Sequence, residues 1–164
     1  MIKIINGELL FKFRARVLNT QTNVGGGVLH IQLPCAVGNT LYVEHLGLGA
    51  DNVAAGRNVD LYHKDETAQI APLMNEASID NAIIRLIEAA HDGTATANTE
   101  NAIGAPEMPL MVPAGNHLLA VSLTPAQNET LTLTVTGWCK ILPVFITTGS
   151  GGTPVLSTSY NETV

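Results

Sequence analysis

From Thr130 to Thr136 every second residue is apolar: Leu131, Leu133 and Val135 alternate with four threonines. A period of two sends the two sets to opposite faces of an extended strand, whereas a helix would scatter them around its axis. Threonine suits a solvated sheet face, and Leu and Val suit a buried one. The alternation returns at Leu10–Leu18, where Phe11, Phe13, Ala15 and Val17 face one way and Lys12, Arg14 and Arg16 the other. A chain punctuated by such segments builds its core from sheets.

Further strands are bounded by turn residues. Val28–Leu33 runs from the Gly25-Gly26-Gly27 loop to Pro34, with Leu29, Ile31 and Leu33 on one face and His30 and Gln32 on the other. Thr40–Gly47 follows the turn signal Gly38-Asn39, and Asn58–Lys64 opposes Val59, Leu61 and His63 to Asp60 and Tyr62. His117–Leu123 follows Pro113-Ala114-Gly115-Asn116, in which Pro presets φ and Gly can take a positive one. Trp138–Ile146 is a last apolar stretch, broken by Pro143. Short strands separated by Gly, Pro and Asn turns predict an all-β fold, an antiparallel β-sandwich or jelly roll. One segment reads two ways. Ile79, Ala82, Ile83, Leu86, Ile87 and Ala90 fit a short helix over 78–90 with Ser78 as its N-cap, while the β-branched Ile83, Ile84 and Ile87 fit a strand at Ala82–Glu88.

The length of 164 residues fits one domain. Residues 1–146 are expected to form the sandwich. The small, polar 91–104 stretch reads as a long loop, and the Gly-, Ser- and Thr-rich 147–164 as a flexible C-terminal arm. Charged residues make up only 13% of the chain, against a usual share of about 25%, so much of the surface is bland. The net charge of −6 and an aromatic content of 4% exclude a general nucleic-acid footprint and a base-stacking platform. No apolar run approaches the ~20 residues that span a bilayer, and the first residues lack a signal peptide's apolar core, so the chain is expected to be made in the host cytoplasm without a membrane partner. Cys35 and Cys139 form no Cys-x-x-Cys pair. They read as buried apolar side chains, with a Cys35–Cys139 bridge as the alternative.

Catalytic and metal chemistry finds little to stand on. His30, His45, His63, His91 and His117 show neither His-x-His nor i, i+4 spacing, and read as sheet histidines. No serine lies in Gly-x-Ser-x-Gly, and no Gly-Lys-Ser/Thr follows the triple glycine. Asp60, Asp65 and Glu66 could form a loop calcium site, but the simpler reading is scattered surface carboxylates. The expectation is a protein without enzymatic activity, cofactor or metal. Two features stand above background. Lys12, Arg14 and Arg16 put three of eight basic residues on one strand face, either to guard a sheet edge or to dock an acidic partner. Pro154, Val155 and Leu156, beyond the Gly149–Gly152 hinge composition, could anchor in a partner's groove.

The Pro109-Leu110-Met111-Val112-Pro113-Ala114-Gly115-Asn116-His117-Leu118 stretch, followed by the threonine-alternating strand before Trp138, resembles β-sandwich decoration (cement) proteins of tailed bacteriophages. The likeness covers about the last third of the chain. It implies a virion structural protein on the capsid surface, without cofactor. Its partners would be the major capsid protein or another virion protein and further copies of itself, as a trimer or dimer. A connector, tail or baseplate protein, or a carbohydrate-binding sandwich module, are the competing readings of the same pattern.

Overall fold

The computed structural model describes residues 1–22, 28–51, 58–64, 84–90, 101–102, 109–123, 125–148 and 154–157. Among these residues are twelve strands: β1 (Ile2–Ile5), β2 (Glu8–Thr20), β3 (Leu29–Pro34), β4 (Thr40–Asp51), β5 (Asn58–Lys64), β6 (Ile84–Ala90), β7 (Asn101–Ala102), β8 (Leu110–Pro113), β9 (His117–Ser122), β10 (Thr130–Cys139), β11 (Phe145–Thr148) and β12 (Pro154–Ser157). They form two antiparallel sheets. The front sheet has the order β1-β2-β10-β4-β7, with β8 also on β4, and the back sheet the order β12-β11-β3-β9-β5-β6.

The pairing is nested. β5 pairs β6, β4 pairs β7 and β8, β3 pairs β9 and β2 pairs β10, while β10 also pairs β4 and β9 also pairs β5. This is a long hairpin rolled on itself, the jelly-roll arrangement expected from the strand pattern. The alternating residues meet between the sheets: Phe13, Ala15 and Val17 of β2 and Leu131, Leu133 and Val135 of β10 share one buried cluster with Leu29, Ile31 and Leu33 of β3 and Leu118 and Ala120 of β9.

Turn chemistry sets the corners. Asn6 and Gly7 both have positive φ (51° and 79°), so the β1–β2 connection is a two-residue hairpin of the Asn-Gly kind. Gly115 takes φ 86° in the expected turn, closed by Asn116 N–H donating to Pro113 O. Asn128 (φ 65°) turns the chain into β10, where buried Glu129 accepts the Ala126 N–H at 2.9 Å.

Of the two readings of 78–90, the strand holds over residues 84–90, and residues 78–83 lie outside the described residues. Three other expectations are corrected. The back sheet runs past the boundary expected at residue 146. β11 ends at Thr148, and β12, inside the segment expected to be an arm, pairs it from Phe145↔Ser157 to Thr148↔Pro154. Trp138 and Cys139 finish β10 rather than opening the last stretch, because Gly137 and Trp138 continue its ladder with β4. Finally, His30 and Gln32 on the outer face of β3, and His63 and His117, are buried.

Candidate docking face

Lys12, Arg14 and Arg16 stand exposed on the outer face of the front sheet, as their alternation predicts. β1 covers β2 only over Glu8–Phe11, and β10 takes its other side. Among the described residues the strip therefore follows a sheet edge, so charge there also guards against unwanted strand pairing. Cross-strand, Arg14 faces Thr136 and Arg16 faces Thr134, and the threonine row continues through Thr132 to Thr130, whose Oγ1 lies 2.8 Å from Thr20 Oγ1. The result is a threonine row with two arginines along one side and Leu18, 55% exposed, opposite Thr132.

Lys12 belongs to a different arrangement. Its Nζ lies 2.7 Å from Glu44 Oε2 and 5.0 Å from the centre of the Trp138 ring. Trp138 Nε1 donates to Glu44 Oε1 at 2.6 Å, and Lys3 Nζ sits 5.4 Å from the same ring. Beneath, Trp138 packs with Leu10, Tyr42 and Ile5. The cations rest on the electron-rich ring face while its N–H is taken by a carboxylate, so each group has an oppositely polarised neighbour. The Glu44 carboxyl is held below the ordinary carboxylate range, first by the Lys12 hydrogen bond and against the opposing effect of partial burial. The Trp138 bond and the charges of Lys12 and Lys3 add to the lowering.

A bulge aims Glu44. The β10–β4 register slips between Thr136↔His45 and Gly137↔Val43, leaving Glu44 as the extra residue on β4. The slip brings the Tyr42 carbonyl against Gly137, where a Cβ would collide with the Tyr42 oxygen. Glycine is therefore required there by close backbone approach. No local sequence signal marks Glu44, because its partners are contributed by strands far away in the chain.

The other expected docking residues lie elsewhere. Pro154, Val155 and Leu156 form most of β12, at the edge of the back sheet, so the two candidate docking elements sit on different sheets. Asp65 and Glu66 lie outside the described residues, and Asp60 accepts the Tyr62 hydroxyl at 3.0 Å. Among the described residues no group of three or more His, Cys, Asp or Glu could hold a metal. Cys35 and Cys139 are free thiols in the main core cluster. Burial, aided by the neighbouring Cys35, pushes the Cys139 thiol up to about 11, and burial also raises Cys35. Such thiols pack as small apolar groups and are poor nucleophiles. Trp138 and Tyr42 are both buried, so neither presents a ring face for stacking a sugar. No family model, curated protein or solved structure matches the chain.

Proposed function

We propose that this chain is a non-enzymatic structural protein of a tailed-phage virion, a decoration or cement protein that docks on the capsid through the outer face of its front sheet. The observation that carries the reading is the placement of Arg14 and Arg16. In a chain of net charge −6 they stand exposed beside a threonine ladder, a surface that fits an acidic partner face better than a small molecule. The jelly roll supports it as a fold that viral capsid domains use, although lectins use it too and fold alone does not decide function.

The test uses purified particles of the phage that encodes the chain and capsids that lack it. The protein should be present in the particles in many copies and should sediment with the bare capsids. R14E/R16E should abolish co-sedimentation, and raised salt should weaken it in steps for the native protein, since rim charges act over roughly 8 Å at physiological salt. Lys12 is left intact because it holds Trp138 and Glu44. Absence of the chain from the particles, or unimpaired binding of R14E/R16E, removes this reading.

A further inference from the structure

The β1–β2 hairpin has two unlike faces. On the outer side Leu10 and Ile5 pack with Trp138 and Tyr42, and Lys3 and Lys12 sit by the indole. On the other side Ile2 pairs directly with Phe11 and Ile4 with Leu9, so all four share one face. They are 58%, 44%, 69% and 52% exposed. That face continues the side of the front sheet that elsewhere packs on the back sheet. Phe13, two residues on from Phe11, is already in the core. At the same end Ile141, Leu142 and Val144 are exposed in the connection that leaves Cys139, the cross-strand partner of Phe11.

The backbone of β1 is also open among the described residues. Lys12 N–H donates to Met1 O at 3.1 Å, so Met1 turns its carbonyl toward β2. By the alternation of an antiparallel ladder, Lys3 and Ile5 do the same, while Ile2 and Ile4 point their N–H and C=O groups off the edge. Those two residues thus carry exposed apolar side chains and outward backbone groups together. The single charge of β1, Lys3, lies on the opposite face beside Trp138.

We propose that this hairpin is a self-association contact, and that its occupant is the β1 strand of a second copy, paired antiparallel across a two-fold axis at Ile4. In that register Ile4 opposes its own symmetry mate and Lys3 opposes Ile5, so like charges are not set face to face. The front sheets of two copies then run on as one, and the two Ile2/Ile4/Leu9/Phe11 faces form a single apolar strip. Charge opposes the approach only weakly: the side chains of Lys3, Lys12 and Lys140 against Glu8 and Glu44 give this end 3 − 2 = +1, although the whole chain is −6. The area argues for two copies as well. Four large side chains about half exposed match the ~300–600 Å² of the largest apolar patch on a soluble monomer. The Ile141–Val144 connection extends them toward the ~800 Å² that each partner gives to a stable interface. The inference rests on the assembly reading above but uses a different surface, so each can fail alone.

Sedimentation of the purified full chain, without capsids, tests it. The protein should be a dimer at tens of micromolar, and I2K/I4K should be a monomer with an unchanged sheet signal. Ile4→Pro keeps the β1–β2 ladder, because the Ile4 N–H points away from β2, but it removes an outward donor and should also give monomer. R14E/R16E should remain dimeric. A native monomer, a trimer, or a dimer that survives I2K/I4K overturns the proposal, and a dimer that survives Ile4→Pro overturns the strand pairing at its centre. If I2K/I4K fails to fold, the Ile4→Pro result alone decides by the same criterion.

Discussion

The outer faces of the two sheets begin from one recipe, a row of side chains alternating with the core, and end in opposite environments. On the front sheet Lys12, Arg14 and Arg16 stay at the surface beside the half-buried threonine row, with Lys12 paired to Glu44 and Thr130 to Thr20. On the back sheet His30, Gln32 and Lys64 are buried, and Leu119 and Val121 form a second cluster with Val28, Tyr62 and Leu123. Polarity along a strand therefore does not tell which face meets water. The exposed face keeps its charges and can recognise a partner. The buried face keeps His30 neutral, and so ties folding to pH.

The strongest test of that contrast is acid. Burial lowers the His30 pKa from 6.5 to about 4, so the fold holds the ring neutral while the unfolded chain takes up a proton first. Stability is then full above the unfolded value and is lost as pH falls from 6.5 toward 4, by about 3 kcal/mol at the lower end. Urea midpoints measured across this window should fall for the native chain and flatten for His30→Leu. An equally steep fall in that variant would move the effect away from the back sheet.

On the front sheet the largest single effect should come from Gly137→Ala, which forces β4 and β10 apart at the bulge and costs about 1–3 kcal/mol in chemical denaturation. A neutral result would mean that the bulge yields freely. Smaller still is Glu44→Gln. Removing the carboxylate should cost about 1 kcal/mol or less, as for other part-exposed ion pairs. It should nevertheless shift the emission of Trp138, the only tryptophan, and the shift should persist in high salt if the indole hydrogen bond rather than screening sets it.

How much of this was legible in the sequence depends on whether a feature is local. The strands at 10–18 and 130–136 and the turn at 113–116 declare themselves because period two and Pro-x-Gly are properties of neighbouring residues. Phe11 is expected on the core face with Phe13, and its parity is right, but among the described residues it stays 44% exposed. Leu10 is meanwhile buried on the supposedly polar side by Trp138. Asn6-Gly7 is a local hairpin signal of the same kind, and it delimits β1. Glu44 was invisible, since a bulge aims it at Trp138, 94 positions away in the chain. The choice between helix and strand for 84–90 was settled by pairing with β5, which sequence periodicity does not contain.

The nested pairing also orders events in time as the chain is made. β1 and β2 are neighbours and can close their hairpin within microseconds. The partner that β2 needs on its other side is β10, and the Thr20–Thr130 contact spans 110 positions. At about 5–20 residues per second of synthesis, that partner arrives roughly 5–20 seconds later. Through that interval the apolar residues of β2 have no sandwich to enter, and a hairpin that closes early waits for a strand 110 positions behind it.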